Sequence, residues 1–365
     1  MRKTGIFAGL ILFACLFASS LRGQRPESKS LFPVERAGKF GYIDRTGKII
    51  VPLQFDGANE FHEGLALVTS GRQQAFINEA GQVVIKPDFD IVDDFSEGLA
   101  AVNIGQRRIP NIGVISNPGK WGYIDKTGKL VIPLKFTHAE DFSEGLAAVT
   151  DGDRGGFIDH TGKILFEVPL DVTLGFHEGI VGVLLRGGVT YFDRTGKKVP
   201  SPAIDYGPSY HSMSEGLAAI ATGGKSGFID QTGKLLIEAK FEDAGAFSEG
   251  LAPVKIKGEV VWCPRDADGN RSGSTMLWGY IDKTGKLVIP AQFESAAPFS
   301  EGLAAIHNCD QAYFIDKSGK TVISEKFRYA SSFSGGLAHV ETMTKDDLLF
   351  SYVDKTGKIV WGPTK

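Results

Sequence analysis

The sequence predicts an all-β protein built as a tandem array of about nine three-stranded units, and three observations carry this prediction. First, nine short phrases align on a polar residue, and four of the eight gaps between these anchors are 34 residues long. Second, 46 glycines beside only four methionines and three cysteines favour a turn-dense β protein over a helical one. Third, the thirteen residues from Trp121 to Pro133 return unchanged from Trp278 to Pro290. Internal agreement of this kind indicates a repeat architecture.

Each anchor marks the turn of a predicted β-hairpin. An aromatic residue lies two positions before every anchor, and a glycine lies three positions after it. The link Asp-Lys-Thr-Gly fits a type I turn that ends in a left-handed glycine, with the Asp carboxylate accepting bonds from nearby backbone amides. The anchors are Asp44, Asn78, Asp125, Asp159, Asp193, Asp230, Asp282, Asp316 and Asp354.

A second phrase, Phe-Ser-Glu-Gly-Leu-Ala at residues 142–147, follows eight of the nine anchors in exact or varied form. The ninth unit ends near 361–363 without it. The segment from Leu31 to Val34 lies as far before the first anchor as the corresponding strand does in other units. We therefore expect the N-terminal segment to supply the missing strand, so that the repeat domain spans residues 31–365.

The last strand of a unit often carries three apolar residues in a row, as at Leu130, Val131 and Ile132. Both faces of such a strand should be covered, which predicts stacking of neighbouring units. We predict an open, curved solenoid. The alternative is a closed, propeller-like ring in which the N-terminal strand acts as the closing clasp.

The N-terminus predicts export. Arg2 and Lys3 precede an apolar run that ends at Ala18, and small residues follow, so residues 1–20 read as a signal peptide and 21–30 as a linker. A lipoprotein with its anchor at Cys15 is the alternative. We expect a secreted, periplasmic or cell-surface protein, with no transmembrane segment after signal removal.

Two insertions interrupt the repeat, near 103–119 and 256–276, and loops on a rigid array often carry binding. The second contains Trp262, and the degenerate fifth unit is followed by Tyr206 and Tyr210. After signal removal two cysteines remain, Cys263 and Cys309. A disulfide and two free thiols are both open, because spacing alone does not establish their approach.

The run Lys-Trp-Gly-Tyr-Ile-Asp at 120–125, together with the phrase at 142–147, resembles the WG (or KWG) repeat family of bacterial proteins. The resemblance covers nearly the whole mature chain. It implies a secreted or envelope β-repeat protein that mediates interactions, and it attaches no activity to the motif. Only two units keep the Trp-Gly pair, at Trp121 and Trp278, which argues against an indispensable contact role for this tryptophan.

The sequence offers no catalytic, cofactor-binding or metal-binding constellation. Its seven histidines are scattered over the repeats, and neither HExxH nor CxxC spacing occurs. A net charge of −3 gives no basic surface for nucleic acid. The glutamates of the second phrase would form a column if units stack, which predicts either solvated, paired charge or a ligand ladder.

We therefore expect a non-enzymatic extracytoplasmic binding or scaffold protein whose partner is an unknown protein or an envelope glycan. The alternative is a carbohydrate or cell-wall binding module that stacks sugars on Trp121 and Trp278. Trp262, Tyr206 and Tyr210 complete the set of candidate contact residues.

Overall fold

The computed structural model describes residues 31–108, 115–152, 154–168, 172–185, 188–205, 212–263, 273–309, 311–344 and 347–364. Within these ranges the strands form nine small antiparallel sheets, each made of strands that are consecutive in the chain. The sheets are arranged as the blades of a ring. The predicted signal peptide and linker lie outside the described residues.

The blades contain the following strands. Blade 1 has β1 (Phe32–Arg36), β2 (Lys39–Ile43) and β3 (Ile49–Phe55). Blade 2 has β4 (Gly57–Ala58), β5 (Leu65–Ser70), β6 (Gln73–Asn78) and β7 (Val83–Ile85). Blade 3 has β8 (Ile91–Val92), β9 (Leu99–Arg108), β10 (Ile115–Asp125) and β11 (Leu130–Phe136). Blade 4 has β12 (His138–Ala139), β13 (Ala147–Asp151), β14 (Arg154–Ile158) and β15 (Ile164–Glu167). Blade 5 has β16 (Val172–His177), β17 (Ile180–Leu185) and β18 (Gly188–Asp193).

The remaining blades follow the same order. Blade 6 has β19 (Leu217–Thr222), β20 (Lys225–Asp230) and β21 (Leu235–Phe241). Blade 7 has β22 (Asp243–Ala244), β23 (Leu251–Trp262), β24 (Gly273–Asp282) and β25 (Leu287–Phe293). Blade 8 has β26 (Ser295–Ala296), β27 (Leu303–Asn308), β28 (Gln311–Asp316) and β29 (Thr321–Phe327). Blade 9 has β30 (Tyr329–Ala330), β31 (Leu337–Met343), β32 (Leu348–Asp354) and β33 (Ile359–Thr364). In most blades a two-residue strand is therefore added to the three that the repeat predicts.

The anchor turns have the predicted geometry. In blade 3 the Gly128 amide donates to the Asp125 carbonyl at 2.8 Å, and Gly128 has φ +83°. The Asp125 Oδ1 accepts from the Thr127 amide at 2.8 Å and from the Lys129 amide at 3.2 Å, and the Thr127 hydroxyl donates to it as well. These bonds occupy the carboxylate oxygen, so the anchor holds its own turn.

The second phrase forms a two-residue hairpin turn. Ser143 and Leu146 exchange backbone bonds of 2.8 and 3.1 Å, and both central residues are left-handed, Glu144 at φ 52° and Gly145 at φ 82°. This is the type I′ pattern that matches the twist of paired strands. Seven glutamates adopt this strained backbone conformation, and an ordinary side chain there costs about 1–2 kcal/mol.

The core lies between adjacent blades. The aromatic residue before the anchor is buried in eight of the nine blades, and in blade 9 Tyr352 is partly buried. The ring of Tyr123, for example, contacts that of Phe142 from the next blade with centroids 5.0 Å apart. The Tyr123 hydroxyl donates to the Glu140 carbonyl of the same neighbouring blade at 2.7 Å. One aromatic side chain thus joins two blades by packing and by a hydrogen bond.

The open solenoid predicted from the sequence is wrong, because the nine blades close into a ring, the alternative form. In eight of the nine blades the anchor-turn glycine lies against the last strand of the preceding blade: a Cβ on Gly81 would meet Val51 at 2.9 Å, and one on Gly128 would meet Ile85 at 2.8 Å. The same contact joins the ends of the chain, since a Cβ on Gly47 of blade 1 would lie 1.9 Å from the Val360 carbonyl oxygen of blade 9.

Contacts between blades 9 and 1 form the seam of the ring. The N-terminal strand β1 pairs with β2 of blade 1, with Phe32 opposite Ile43, and blade 9 is complete without it, so β1 is not the closing clasp that the ring alternative predicted. The Phe32 ring lies 5.7 Å from that of Tyr352, whose hydroxyl donates to the Pro33 carbonyl at 3.2 Å. The repeat sequence alone could not distinguish a closed ring from an open array, because the outcome depends on the rotation between neighbouring blades summed over the whole array.

The last strand of each blade is less covered than its apolar run suggested. Ile132 is buried, whereas Leu130 and Val131 remain exposed. This strand is the edge of its sheet, so part of it stays open to solvent. In the described part of the chain, no helix is long and apolar enough to cross a membrane.

Candidate functional site

The Trp-Gly pair is architectural in this protein. Trp121 is only 8% exposed and belongs to a core cluster with Tyr123 and Phe136. Trp278 is half-buried against the corresponding core of blade 7. The glycine is needed for close strand approach, because a Cβ on Gly122 would lie 2.5 Å from the Ile132 carbonyl oxygen. At the half-buried Trp278, the Lys255 ammonium lies 6.0 Å from the ring centroid.

The glutamates of the second phrase are paired with the next blade rather than with a ligand. The Glu63 carboxylate of blade 2 accepts from the Gly98 amide of blade 3 at 3.0 Å and contacts the Lys126 ammonium at 3.0 Å. Burial acts to raise the pKa of Glu63, but the hydrogen bonds from Lys126 and Gly98 outweigh it and leave the pKa below its usual range. We call this contact between a glutamate carboxylate and the glycine amide of the next blade the clamp. It explains why glutamate is tolerated at a left-handed position.

The same clamp recurs around the ring. Each acceptor glutamate bonds the glycine amide of the following hairpin turn, in the pairs Glu97–Gly145, Glu144–Gly179, Glu178–Gly216, Glu215–Gly250, Glu249–Gly302 and Glu301–Gly336. Lys283, Lys317 and Lys355 add ion pairs to three of these carboxylates. Blade 9 has Gly335 at the equivalent position, so it contributes no carboxylate to the seam.

The acidic loops of blades 2 to 4 form a separate electrostatic feature. Asp93 and Asp94 of blade 3 face Asp141 of blade 4, and the Asn59 amide donates to Asp94 at 3.0 Å. Burial, followed by the charges of Asp141 and Asp94, raises the pKa of Asp93 to about 6, while His138 opposes the shift. These carboxylates repel one another at neutral pH.

The structure brings Cys263 and Cys309 together as a disulfide, with their Cα atoms 5.1 Å apart. The bond ties the end of β23 to the turn after β27 in the next blade. The Glu294 carboxylate also holds this turn, because it accepts from the Cys309 amide at 2.7 Å. A bonded pair offers no thiolates, so the cluster of Cys263, Cys309 and Glu294 is not a zinc site in this state.

Both insertions lengthen a hairpin into a two-stranded ribbon. The first lies within β9 and β10, and the second within β23 and β24, where Val261 is opposite Ser274 and Trp262 is opposite Gly273. The tips, residues 109–114 and 264–272, lie outside the described residues. The disulfide therefore staples the second ribbon to blade 8 at its described end.

Exposed apolar side chains gather on one part of the ring. Outside the repeated last-strand positions, the exposed large apolar residues of the described chain are Ile104, Val260, Trp262, Tyr329 and Met343. All but Ile104 lie on blades 7 and 9, and we name these four residues the 7–9 rim. Trp262 is 53% exposed and Met343 is 58% exposed.

Blade 8 links the two halves of the 7–9 rim. Cys309 of blade 8 is bonded to the residue after Trp262, and the nearby His307 ring lies 6.1 Å from the Tyr329 ring. An open groove of about 700 Å³ runs beside them, lined by Glu294, His307, Gln311, Lys326, Phe327, Arg328 and Met343. The groove is polar, with cationic and anionic side chains flanking an apolar edge.

Trp262 is thus the one predicted contact residue that the described structure exposes on the surface. Trp121 and Trp278 contribute to the core, and Tyr206 and Tyr210 lie outside the described residues. Sequence reasoning missed Tyr329 and Met343. A usable signal existed at Tyr329, a large aromatic at a repeat position where neighbouring units have Ser295, Asp243 and Gly57.

The fold and its repeated turns define a nine-bladed β-propeller made of tandem repeats. The family described as "WG containing repeat" matches residues 40–71, 75–107, 121–154, 227–259, 278–306 and 314–342, which together make up more than half of the chain. The protein belongs to this family, so the resemblance drawn from the sequence is confirmed. The sequence has no significant match among curated proteins.

Solved structures show similarity of fold alone. One, described as a crystal structure of the eukaryotic initiation factor, is 11% identical with a TM-score of 0.60, over 91% of this chain and 95% of that chain. Apo AztD from Citrobacter koseri is 12% identical with a TM-score of 0.40, over 90% of this chain and 92% of that chain. At 11% identity, the first of these structures shares the fold alone with this chain.

Proposed function

We propose that this protein is a non-enzymatic, extracytoplasmic scaffold that holds a protein partner on its 7–9 rim. The observation that carries the proposal is the concentration of exposed Val260, Trp262, Tyr329 and Met343 on one sector of an otherwise repetitive ring. Exposed aromatic and methionine side chains are typical of the central contacts of protein interfaces. The ring itself supplies a rigid platform.

The disulfide supports both halves of this proposal. It fixes the described end of the ribbon, which reduces the conformational entropy that binding would otherwise cost. Disulfides also persist mainly in oxidising compartments, in agreement with the apolar segment at residues 5–18 as an export signal.

A carbohydrate-binding role that uses the repeat tryptophans has less support. Trp121 and Trp278 are packed against the core, so a polysaccharide could not lie along them as a ladder. The groove next to the rim carries Lys326, Arg328 and Glu294, a mixture of charges that suits a polar interface margin.

The test is site-specific photocrosslinking with the mature chain, residues 21–365. A crosslinker placed at Trp262 should capture a discrete envelope protein, whereas one placed at Val288, an exposed repeat position of blade 7, should not. Trp262→Ala and Met343→Ala should each weaken capture by about tenfold or more, the loss typical of a central contact residue. Capture that is equal at both positions and insensitive to these substitutions would refute the assignment.

Replacing residues 257–275 with a short Gly/Ser link provides a second, independent variant. We expect it to lose the partner and to lower the stability of the ring no further than loss of the Cys263–Cys309 bond does, because the replaced segment contains Cys263 while blades 1 to 6 do not depend on the ribbon. If this variant still captures the partner, the contact surface lies outside this sector of the ring.

A further inference from the structure

The disulfide between blades 7 and 8 has a carboxylate directly beside its sulfur atoms. The Cys263 Sγ lies 3.4 Å from the Glu294 Oε1, and one ligand atom from each of Cys263, Cys309 and Glu294 lies within 4.8 Å of the other two. Cys263 is buried, and the other two residues are half-buried. Thiolate sulfur and carboxylate oxygen are both zinc ligands, so these atoms form a ligand set when the sulfurs are not bonded to each other.

A turn contact that recurs in the repeat holds the Glu294 carboxylate in place. Its Oε2 accepts from the Cys309 amide at 2.7 Å, as Asp56 Oδ2 of blade 2 accepts from the Gly71 amide at 2.6 Å. Glutamate is one methylene longer than aspartate, and its second oxygen, Oε1, is the one beside Cys263. One oxygen therefore fixes the carboxylate to the backbone and leaves the other for ligation, which is how outer hydrogen bonds orient metal ligands.

Cys309 occupies a left-handed position at which other blades have glycine. Its φ is 53°, and the equivalent residues Gly71, Gly152 and Gly223 have φ values of +61°, +64° and +59°. A side chain with a Cβ costs about 1–2 kcal/mol in this conformation. Backbone strain of this kind is typical of functional positions, and here it places a sulfur beside Glu294 and Cys263.

The spacing of the two cysteines suits a shared zinc ion. Two zinc–sulfur bonds of about 2.3 Å at a tetrahedral angle separate the sulfurs by about 3.8 Å. The Cα atoms are 5.1 Å apart, so rotation about the side-chain bonds can provide this separation. Binding transfers no electrons: Zn²⁺ replaces the two thiol protons, which pass to solvent. The disulfide form reaches the same thiols by exchange with a dithiol, which is itself oxidised to a disulfide.

We propose that the thiol form of this protein binds one zinc ion between blades 7 and 8. The ligands are the thiolates of Cys263 and Cys309 and the Oε1 of Glu294, and water takes the fourth position. Zinc then joins the two blades in the thiol form, as the disulfide joins them in the oxidised form. Every chain passes through the thiol form before its disulfide is made. The site uses none of the 7–9 rim side chains, so it is independent of the protein partner proposed there.

The test is a zinc titration of the mature chain, residues 21–365, reduced with a phosphine in the absence of oxygen. A chromophoric chelator competes for the zinc, and Co²⁺ replaces zinc in a parallel spectroscopic titration. The reduced chain should bind one metal ion and give thiolate-to-cobalt charge-transfer absorption, whereas the oxidised chain should give neither. Absence of this absorption in the reduced chain, or equal zinc affinity in the oxidised chain, overturns the proposal.

A substitution at Glu294 tests the carboxylate ligand. Glu294→Gln keeps an oxygen that can accept from the Cys309 amide but removes the charge, and it should weaken zinc binding by at least about tenfold. Asp56→Asn is the matched control, because it makes the same change at the equivalent turn of blade 2, and it should leave the affinity unchanged. Wild-type affinity in Glu294→Gln, or an equal loss in both variants, would exclude Glu294 as a ligand.

Cys309→Gly separates metal binding from folding, because it restores the residue that blades 2, 4 and 6 have at this turn. It should abolish the charge-transfer absorption of a two-thiolate site while the ring stays folded. Zinc should also slow protease cleavage between 257 and 275 in the reduced wild type and have no such effect in Cys309→Gly. Wild-type zinc affinity in this variant would refute the site, and equal cleavage of the reduced wild type with and without zinc would refute the crosslink.

Discussion

At the residue scale, glycine has two distinct duties in this ring. The glycine of the second phrase, as at Gly98, is left-handed at φ +85° and has open space where a Cβ would stand. The anchor-turn glycine, as at Gly162, is left-handed at φ +78° and lies so close to the preceding blade that a Cβ would meet Ile132 at 2.9 Å. The glycine of the second phrase is required by turn geometry alone. The anchor-turn glycine is required both by turn geometry and by the close packing of the preceding blade.

These duties predict different costs for the same substitution. Gly98→Ala should lower the free energy of unfolding by about 1–2 kcal/mol, the cost of a left-handed alanine. Gly162→Ala should cost about 2–4 kcal/mol, because overpacking against Ile132 adds to the same backbone strain. Urea denaturation of the two variants measures the difference. Equal costs would contradict the packing role of the anchor glycine.

Asp93 gives a pH dependence whose sign follows from its raised pKa. Its pKa is about 6 in the folded protein, above the ordinary value of 3.8, so the charged form destabilises the fold above pH 6. This penalty disappears as the pH falls through 6 toward 4. Asp93→Asn should therefore raise the free energy of unfolding at pH 7.5 and have a much smaller effect near pH 4.5, where the penalty is mostly lost.

The check on Asp93 is denaturant unfolding of both proteins across this range. Asp88→Asn is the matched control, because Asp88 is exposed on the same blade pair. A stabilisation by Asp93→Asn that is the same at both pH values would exclude the titration as its cause.

At the element scale, the ribbon of blade 7 shows how an insertion becomes a defined surface. Its strands continue the hairpin ladder of the blade, with Lys255 opposite Trp278 and Lys257 opposite Met276. The disulfide then crosses to blade 8 rather than back to the ribbon itself. This crosslink closes a segment of 46 residues and constrains two blades together.

Removal of the disulfide should act on both stability and local order. Cys263→Ser/Cys309→Ser should lower the free energy of unfolding by about 2–4 kcal/mol, the usual effect of closing a loop of this size. The ribbon should also be cut faster by protease between 257 and 275. The measurements are denaturant unfolding and limited proteolysis, with untreated and reduced wild type as controls. An unchanged cleavage rate would show that strand pairing alone holds the ribbon.

At the scale of the whole molecule, the seam between blades 9 and 1 is built differently from the other interfaces. Gly335 supplies no carboxylate clamp, whereas Glu301 of blade 8 bonds Gly336 and Lys355 of blade 9. The seam relies instead on aromatic contacts, with the Arg36 guanidinium 4.7 Å from the Trp361 ring centroid. Burial, followed by the charge of Glu60, raises the pKa of Tyr352 to about 12 at this interface.

We expect the ring to open first at this seam. Backbone amides of β1 and β33 should exchange with deuterium faster than those of the equivalent strands β13 and β15 in blade 4, because fewer clamps oppose local separation. Hydrogen-exchange mass spectrometry provides the measurement. Trp361→Ala should widen the difference, and uniform protection around the ring would contradict a weaker seam.

The sequence by itself determined the repeat, its hairpins and the role of each turn residue. The anchor Asp and Gly were predictable because turn geometry is local and reads directly from residue type and spacing. The N-terminal strand was predictable in the same way, from its distance to Asp44, but the prediction that it closes the ring as a clasp was wrong, because β1 pairs with β2 of blade 1 and blade 9 is complete without it. The paired charges around the second phrase were foreseen only as one of two readings, because the partner of each glutamate lies on another blade.

Only the tertiary structure decided the closed ring, the burial of Trp121 and the bond between Cys263 and Cys309. Each depends on the relative placement of blades. The sequence pattern indicates which units are neighbours, but it does not give the rotation between neighbouring blades summed around the ring. The same reason hid the 7–9 rim. Tyr329 looks like ordinary repeat variation until the packing around it is known.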